Sequence, residues 1–575
     1  MNKKTNENII IFLLIFTLIP IFSFAQSHEN FTFKDVPEDY WAKEYIYNLK
    51  DKGITNGIGD NEFGINDTVK RSEFIAFLVR IMNWELVSKN VESSNWYDSY
   101  IETAVSHGII MESDKNSDFN KAITREEMAI MIIRSLGYDT LAKNIEVDLK
   151  GVKPFDDVNE NSGHILIAKD MDIINGMGNK KFEPQSSATR SQAAAMLTRL
   201  EEKINSKINE LHGFYAISSY GQFKEIKNNN DLKKFDSMSF GWSRLEYDSN
   251  EKKIILNTTN KNNNNFKLPD DFSNVVNEAK ENNISVQLNV FASNEMKVGN
   301  IGLVEYIINS PENKKIVVKE IISKILLTEK EGEKVSFDGV VIDFENLRNQ
   351  SSQRPLNEFL SELKNELNKE NKKLYVAVHP KANFKGYDYK SIGEIADKVI
   401  LMAHDYGAKT LTKEEMDIGY TETPPAPIKD IYYALSEITN KDYGVSNLDK
   451  VWLQISFDSI QWKTLNNIVI NEKAYTPDYN KIADRIKTEK DSGRNIKIQY
   501  GNKSKNPYIT YYNSDNNVTN KIWYEDEKSI GLKMDLARLM GVKGISVWRI
   551  GNIPNFGDDE CNLKVWDLIK NSVEH

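Results

Sequence analysis

Two acidic residues, Asp343 and Glu345, end an otherwise apolar run that is typical of a buried β-strand. Because side chains alternate between the two faces of a strand, Val341, Asp343 and Glu345 should share one face. Asp338 should lie on the opposite face. Two neighbouring carboxylates that are partly desolvated repel each other, which raises the pKa of one and makes it a general acid. The spacing therefore indicates acid–base catalysis, and the structural alternative is a pair of solvated acids at a strand end.

Eight short apolar runs that alternate with helical segments would position these acids. The runs are 212–217, 236–241, 284–291, 335–343, 374–378, 398–402, 451–457 and 544–548. Strands that alternate with helices predict a (β/α)8, or TIM, barrel, whose active site lies at the carboxyl ends of the strands. The interval between the seventh and eighth runs is the longest. Its segments 496–500 and 507–512 predict an inserted hairpin that walls the cleft.

Several motifs make this part of the chain similar to a known family. The segment 338–345 resembles the D-G-x-D-x-D-x-E signature of glycoside hydrolase family 18, the chitinase-like barrels. Residues 402–406 resemble the family's M-x-Y-D element of strand six, and Trp548 matches the tryptophan that ends strand eight. Further similarities to bacterial spore and cell-wall peptidoglycan N-acetylglucosaminidases lie at 386–389, 523–526 and Lys533. The resemblance covers essentially all of 211–575.

The resemblance implies hydrolysis with retention, in which the substrate's own 2-acetamido oxygen attacks the anomeric carbon. Glu345 is implied as the acid that protonates the leaving oxygen and then as the base that activates water. Asp343 is implied to orient the acetamido group. Trp548 is implied to stack under the reacting sugar, with a barrel-core tryptophan as the alternative. Further contacts to the sugar are implied for His404, Asp405 and Tyr406.

The chain departs from the family pattern at two positions. Val341 replaces the first aspartate of D-x-D, so Asp343 lacks the carboxylate with which it would share a proton. His404 replaces the tyrosine of M-x-Y-D. We hypothesise that the apolar neighbour raises the pKa of Asp343 and shifts the pH optimum without abolishing activity. The departures leave a second interpretation open, a chitinase-like barrel that binds glycan as a lectin without cleaving it.

A motif of the form [T/K]-R-x-[E/Q] occurs three times before residue 200. Threonine followed three residues later by Glu or Gln is a capping box, so the motif predicts the start of a helix with one apolar face. An amphipathic stretch and a turn with an aromatic residue precede each copy. The predicted helical repeats are 31–85, 94–140 and 152–202.

These repeats resemble the S-layer homology (SLH) domain, in which three helical units form one cell-wall-binding module. The resemblance implies that the arginine of each motif contacts an anionic secondary cell-wall polysaccharide in a groove between repeats. These arginines are Arg71, Arg125 and Arg190. A planar guanidinium at a helix N-terminus suits such an anion. The alternative is that each arginine pairs with the acid of its own capping box.

Residues 1–25 have the character of a secretory signal, in which Lys3 and Lys4 precede the uncharged run 9–24 and small residues follow. The run is shorter than the roughly 20 residues that a membrane-spanning helix needs. We therefore expect cleavage after Ala25, and an uncleaved N-terminal anchor is the alternative. The mature protein is expected to have no transmembrane segment and to be secreted and attached to a bacterial cell wall.

Composition excludes several classes of protein. The 575 residues carry a net charge of −10 without a long basic run, which argues against nucleic acid as a partner. The single cysteine, Cys561, excludes a disulfide framework and a thiolate zinc site. The seven histidines have no metal-binding spacing, so we expect no metal and no cofactor.

The sequence therefore predicts a multidomain protein with an all-α SLH repeat module, followed by an α/β TIM barrel at 211–575 with an insertion between strands 7 and 8. The expected substrate is peptidoglycan or another N-acetylglucosamine polymer, and the expected anchor is an anionic wall polysaccharide. A purely structural S-layer protein would leave the barrel signature unexplained.

Overall fold

The computed structural model describes residues 32–87, 95–216, 219–493, 496, 498–556 and 562–573. The predicted signal segment and Cys561 lie outside these residues. Within them the chain forms a helical N-terminal module and a C-terminal α/β barrel, so the predicted fold class is confirmed.

The described part of the N-terminal module contains seven α-helices, arranged as three units. Their bounds are α1 (Lys43–Asp51), α2 (Arg71–Ile81), α3 (Asp98–Ser106), α4 (Arg125–Ser135), α5 (Asp139–Leu149), α6 (Ser162–Asp170) and α7 (Arg190–Ile204). The helices α2, α4 and α7 begin at the arginine of each motif, as predicted. The hydroxyls of Thr124 and Thr189 each accept a hydrogen bond of 3.2 Å from the third helical N–H. A lysine ammonium cannot accept, so at α2 only the reverse bond forms, from Lys70 N–H to the Glu73 carboxylate (2.9 Å).

A closed ring of backbone hydrogen bonds joins the three units at the start of these helices. Val69 N–H donates to the carbonyl of Ala188 (3.0 Å), and Ala188 N–H donates to Ile123 (3.0 Å). Ile123 N–H completes the ring at the carbonyl of Val69 (2.9 Å). All three side chains are fully buried. The units are therefore one module with approximate threefold symmetry.

The helix α5 has no counterpart among the described residues that follow α2 (82–87), and it packs closely on α6. A Cβ atom at Gly163 of α6 would lie 1.9 Å from the carbonyl oxygen of Ala142 on α5. Glycine is therefore required at this crossing, because any side chain would push the two helices apart.

Eight parallel strands form the barrel, and each corresponds to one of the predicted apolar runs. They are β1 (Glu210–Tyr215), β2 (Ser237–Asp248), β3 (Ser285–Ser293), β4 (Gly339–Glu345), β5 (Lys373–Val378), β6 (Lys398–Met402), β7 (Val451–Ser456) and β8 (Gly544–Trp548). Each strand pairs in parallel with the next, and β1 pairs with both β2 and β8, which closes the sheet. The side chains at the carboxyl ends of these strands share one face of the molecule.

The helices of this part of the chain lie between the strands in sequence, and all except the short helix 413–417 bury apolar side chains. Their bounds are α8 (Tyr220–Asn228), α9 (Phe272–Glu281), α10 (Leu303–Ile308), α11 (Pro311–Leu326), α12 (Gln353–Lys369), α13 (Tyr389–Ile395), α14 (Lys413–Asp417), α15 (Ile428–Ile438), α16 (Tyr479–Asp491), α17 (Glu527–Leu539) and α18 (Val565–Ser572). A further strand, Lys253–Asn257, pairs in antiparallel with the second half of β2. Two small hairpins pair Lys297–Val298 with Ile301–Gly302 and Thr328–Lys330 with Glu333–Val335.

The insertion between β7 and β8 is larger than the predicted hairpin. It is a five-stranded antiparallel sheet together with α16. The strands, in spatial order, are Ile468–Val469, Ile460–Leu465, Val518–Trp523, Pro507–Asn513 and Gln499–Tyr500. We name this sheet with α16 the insertion domain. It leaves the barrel directly beyond the carboxyl end of β7.

The helical module is docked on the outside of the barrel. Asp170, at the end of α6, accepts hydrogen bonds from the hydroxyls of Tyr432 (2.7 Å) and Ser436 (2.8 Å) on α15. Tyr138 donates to the carbonyl of Leu532 on α17 (3.2 Å). Among the helices in the described ranges, none combines the length and the apolar character that a membrane crossing requires.

Candidate active site

The carboxyl end of β4 places the two acids as the strand pleat predicts. Val341 is fully buried on the inward face, Asp343 is 4% exposed above it, and Glu345 ends the strand. Asp338 lies outside this face, and its carboxylate accepts the backbone N–H of Val286 (3.0 Å). The acids therefore project into the mouth of the barrel.

Asp343 has one hydrogen-bond partner in the described protein. Asn289 Nδ2, on β3, donates to Asp343 Oδ2 (3.3 Å), whereas the buried Oδ1 has no partner. Burial raises the pKa of Asp343 to about 6, against the lowering effects of Asn289 and the positive charge of His404.

Glu345 is a protonated acid at neutral pH. Burial raises its pKa to about 8, and the negative charge of Asp343 adds to this effect while His404 opposes it. Its side chain is 28% exposed, so a substrate oxygen can reach the carboxyl group. A carboxylic acid that holds its proton at pH 7 beside a more acidic neighbour is the arrangement that general-acid catalysis needs.

His404 lies at the rim of the same cavity, between two hydrogen-bond partners. Its Nδ1–H donates to Asp405 Oδ2 (3.1 Å), and its Nε2–H donates to Gln454 Oε1 (2.6 Å). Burial alone would lower the pKa of His404, but the hydrogen bond and charge of Asp405 and the hydrogen bond to Gln454 together raise it. Two acceptors on two ring nitrogens stabilise the imidazolium form.

Asp405 is held as a carboxylate by two cations. Burial would raise its pKa, but His404 and Lys409 hold the pKa well below the usual range. Lys409 Nζ lies 2.7 Å from Asp405 Oδ1 and 2.9 Å from Asp458 Oδ2, which ties the end of β6 to the end of β7. The side chain of Asp405 is 42% exposed toward the cleft.

The acids and His404 line one cavity of about 100 Å³ with an aromatic wall. The apolar lining consists of Phe214, Phe266, Phe291, Met402 and Trp548. Trp548 is half-buried and packs edge-on against Phe214 at 5.3 Å between ring centres. A small cavity with an aromatic wall and a few convergent polar groups suits a sugar ring and its N-acetyl group. Five of the six predicted barrel residues meet here: Glu345, Asp343, Trp548, Asp405 and His404.

The sixth, Tyr406, does not line this cavity. Asp405 has a left-handed backbone (φ 62°), and the chain turns there away from the barrel mouth. The Tyr406 hydroxyl donates to the carbonyl of Asp430 on α15 (3.4 Å). The backbone N–H of Tyr406 donates to the carbonyl of Pro425 (3.0 Å). Tyr406 therefore packs between loop and helix, in contrast to the predicted sugar contact.

Sequence reasoning missed three polar side chains of the site: Asn289, Gln454 and His379. The first two are polar residues on the inward face of apolar strands, which is the signal that could have identified them. His379 directly follows β5 and stacks on Phe384 at 4.3 Å. Its Nε2 lies 3.9 Å from Glu345 Oε2, too far for a hydrogen bond, and burial lowers its pKa to about 3, so it is neutral. Among the described residues, no group of three or more His, Cys, Asp or Glu is placed to hold a metal ion.

In the helical module, two motif arginines reach the next unit of the ring. Arg190 of the third unit lies 3.3 Å from Glu73 of the first, and its Nε–H donates to the carbonyl of Phe63 (2.7 Å). Arg71 of the first unit lies 2.7 Å from Glu127 of the second. The alternative of pairing within one capping box is therefore wrong for both, because each partner belongs to the neighbouring unit.

Arg125 of the second unit contacts backbone carbonyls of the third unit and no carboxylate among the described residues. Its Nε–H donates to the carbonyl of Phe182 (2.8 Å) and its guanidinium lies 4.6 Å from that ring centre. Gln192 holds the capping-box position that an acid holds in the other units. In the described part of the chain Arg125 forms no ion pair, although it is only 3% exposed. Burial lowers its pKa to about 10, so the arginine still carries its charge.

Comparison with known families identifies both parts of the chain. The sequence model described as "Glycosyl hydrolases family 18" matches residues 212–552. The model described as "S-layer homology domain" matches residues 32–75 and 154–194, which are the first and third predicted repeats. The middle repeat is not matched, although α3 and α4 occupy it.

Individual relatives match parts of the chain. Amylopullulanase of Thermoanaerobacterium thermosulfurigenes is 34% identical over 180 residues, 30% of this chain and 10% of that protein. Cortical fragment-lytic enzyme of Bacillus subtilis (strain 168) is 27% identical over 243 residues, 40% of this chain and 51% of that protein. The crystal structure of the Bacillus cereus spore cortex-lytic enzyme SleL has a TM-score of 0.47 and 19% identity, covering 64% of this chain and 75% of that one. The chain thus spans between a tenth and about half of these curated relatives.

Proposed function

The chain belongs to glycosyl hydrolases family 18, and from this membership we propose that it hydrolyses β-1,4 linkages at N-acetylglucosamine residues, with peptidoglycan as the first candidate substrate. The observation that carries the proposal is the pair Glu345 and Asp343 in one aromatic cavity. Glu345 holds its proton at neutral pH, and Asp343 ionises at lower pH.

In the proposed reaction, protonated Glu345 donates its proton to the leaving glycosidic oxygen. The substrate's acetamido oxygen attacks the anomeric carbon and forms a cyclic oxazolinium ion, so no carboxylate of the protein is needed as nucleophile. The free Oδ1 of Asp343 accepts the acetamido N–H and stabilises the positive charge that develops on that group. Trp548 supports the sugar ring from the cavity wall.

The second step returns the enzyme to its starting state. Glu345, now a carboxylate, removes a proton from water, and the resulting hydroxide character opens the oxazolinium ion at the anomeric carbon. Two displacements at the same carbon retain the configuration. In its protonated form, His404 lowers the pKa of Asp343 and so favours the ionised form of that acid beside Glu345.

We further propose that the helical module attaches the enzyme to the cell wall. The matched S-layer homology domains support attachment at the cell surface. The anchoring ligand would be an anionic wall polysaccharide held by the guanidinium groups of Arg71, Arg125 and Arg190. The proposed export by the signal at 1–25 fits such a location.

A glycan-binding protein without hydrolytic activity is the second candidate. The observation that favours it is the pair of departures at Val341 and His404, which leaves Asp343 with a single amide partner. A lectin would use the same cavity for binding alone.

Incubation with purified peptidoglycan and with chitin oligosaccharides separates the two candidates. The wild-type protein should release new reducing ends, and Glu345→Gln should abolish their release because the amide cannot donate a proton. Glu281→Gln, on the exposed end of α9 at the opposite face of the barrel, is the matched control and should keep full activity. Binding without release of reducing ends by the wild type would favour the lectin.

A further inference from the structure

A second cavity, of about 260 Å³, opens in the insertion domain and is lined by three cations and no acid. The cations are Lys463, Lys481 and Arg485, and the rest of the lining is neutral: Gln461, Tyr475, Thr476 and Pro477. We name these seven residues the basic pocket. In the described part of the chain, Lys463 and Arg485 form no ion pair, and Lys481 pairs only with Asp478 at its own helix start (2.9 Å).

Two elements of the insertion domain bring these cations together. Gln461 and Lys463 are two residues apart in the strand Ile460–Leu465 and therefore lie on the same face. Lys481 and Arg485 are four residues apart on α16 and lie on one side of that helix. Arg485 donates to Gln461 Oε1 (2.9 Å), and Lys463 Nζ lies 4.6 Å from the Tyr475 ring centre. These neutral partners orient the charges without neutralising them. Asp478 already pairs with Lys481, whereas Lys463 and Arg485 have no carboxylate partner among the described residues, so an anionic ligand would supply their counter-charge.

The basic pocket lies on the same rim as the candidate active site. Gln461 N–H donates to the carbonyl of Tyr475 (2.8 Å), and the neighbouring Ala474 N–H donates to the carbonyl of Lys409 (2.9 Å). Lys409 in turn holds Asp405 beside the catalytic cavity. Two backbone hydrogen bonds thus connect Gln461 of the pocket to Lys409 through the segment 474–475. A glycan chain that leaves the cavity along this wall would pass it.

We infer that the basic pocket binds an anionic group, a carboxylate or a phosphate, carried by the glycan on which the enzyme acts. This inference rests on the proposed hydrolase function and specifies its substrate class. A guanidinium binds such oxyanions with two parallel hydrogen bonds, and the lysines add charge. Chitin oligosaccharides carry no anion, whereas peptidoglycan carries carboxylates on its stem peptides and phosphate on attached polymers. The pocket therefore selects charged wall glycan over neutral chitin.

The test compares one neutral and one anionic substrate. Lys463→Gln combined with Lys481→Gln should raise the KM for soluble, peptide-bearing peptidoglycan fragments about tenfold and leave that for chitohexaose unchanged. Arg485→Lys, which keeps the charge, should have a smaller effect than Arg485→Gln. Lys487→Gln, exposed on the opposite side of α16, is the matched control and should change neither substrate. Equal KM values for the double variant and the wild type on peptidoglycan would overturn the inference.

Binding measurements keep this inference separate from the proposed hydrolysis. Calorimetry on Glu345→Gln should show weaker binding of peptidoglycan fragments when the two lysines are also replaced, whether or not the wild type cleaves them. Amidation of the peptide carboxyl groups should remove the difference if the ligand is a carboxylate. Removal of phosphate polymers should remove it if the ligand is a phosphate. A difference that survives both treatments would contradict an anionic ligand.

Discussion

At the scale of single residues, burial raises the pKa values of Asp343 and Glu345 more than the repulsion between the two acids does. Val341 is a fully buried apolar residue beneath Asp343, and Asn289 supplies the carboxylate's protein hydrogen bond. The pKa values of Asp343 and Glu345, about 6 and about 8, then bracket the neutral range. The proposed reaction requires Asp343 ionised and Glu345 protonated, so kcat/KM should be bell-shaped with limbs near these two values.

The substitution Val341→Asp tests this account of Asp343. A protonated carboxyl group beneath Asp343 would donate a hydrogen bond to its anion, which lowers the pKa of the first ionisation. The acidic limb of kcat/KM should therefore move to lower pH, while the alkaline limb, which reports the pKa of Glu345, should stay unchanged. The measurement is the pH–rate profile of both proteins on the same oligosaccharide. Superimposable profiles would show that the apolar neighbour does not set the pKa of Asp343.

The substitution Glu345→Gln should change stability as well as activity. The folded-state pKa of Glu345, about 8, exceeds the unfolded value of about 4.3. A raised carboxyl pKa means that the wild type has its full stability below the unfolded pKa and loses it as the pH rises through about 8. At pH 9 the amide variant should be more stable by on the order of 2 kcal/mol, and near pH 4 the two proteins should be equal.

Thermal unfolding of both proteins between pH 4 and 9 measures this difference. Glu295→Gln is the control, because its side chain lies at the same rim but is 70% exposed. Its melting temperature should follow the wild type at every pH. A Glu345→Gln variant that is less stable than the wild type at pH 9 would contradict a buried, high-pKa Glu345.

At the scale of elements, the three motif arginines of the helical module differ in their partners. Arg71 and Arg190 each pair with a glutamate of the next unit, whereas the corresponding position for Arg125 is Gln192. Glu183 and Asp157 raise the pKa of Arg125 by their charges alone, without an ion pair in the described structure. We therefore expect the Arg125 groove to bind an anionic wall polymer most strongly.

The substitution Gln192→Glu tests this ranking without removing a buried arginine. The new carboxylate would keep the capping box and pair with Arg125, so wall binding should weaken about tenfold while stability is kept or increased. Glu73→Gln is the converse variant and should strengthen binding by freeing Arg190. Sedimentation with purified cell walls measures both. Unchanged binding by Gln192→Glu would place the anchoring contact in another groove.

The elements also show where sequence patterns suffice. All eight barrel strands were predictable because a strand buried on both faces is a continuous apolar run. The starts of α4 and α7 followed from local capping at Thr124 and Thr189. The pairing of Arg190 with Glu73 was not predictable, because it depends on the ring closing between units far apart in sequence. The insertion domain was seen only in part, since its strands are short and polar and resemble loops.

In the candidate site, too, the residues set by local sequence patterns were predictable and those set by distant contacts were not. Asp343, Glu345 and Trp548 were predicted because they end strands with a fixed period and match a signature. Tyr406 lies outside the described cavity, and the left-handed backbone at Asp405 that precedes it has no sequence signal of its own. Asn289 was missed because its role exists only through the pairing of β3 with β4.

At the scale of the whole molecule, the anchor and the barrel form one body. Tyr432 is fully buried and, with Ser436, donates to a single oxygen of Asp170, whose pKa is raised by burial despite these bonds. Arg538 on the barrel donates to the carbonyl of Lys203 at the end of the module (2.8 Å). The orientation of the candidate active site relative to the helical module is therefore fixed by packing between the module and the barrel.

Tyr432→Phe combined with Ser436→Ala should loosen this contact. Asp170 would lose both donors while its carboxylate stays partly desolvated, which costs on the order of 2 kcal/mol. Calorimetric unfolding of the full chain should change from one transition to two, and hydrolysis of soluble oligosaccharides should stay unchanged. Tyr433→Phe, whose hydroxyl makes a longer bond of 3.4 Å to Asp148, is the matched control and should keep one transition. A single unchanged transition in the double variant would contradict a rigid junction.

The most direct test of the central claim is the identity and configuration of the first product. Purified peptidoglycan is digested with the wild-type protein, and the new reducing ends are followed by NMR before they mutarotate. Substrate-assisted cleavage beside N-acetylglucosamine predicts reducing N-acetylglucosamine ends that appear first as the β-anomer, and no such ends with Glu345→Gln. Ends that appear first as the α-anomer, or no new ends from any N-acetylglucosamine polymer, would contradict it.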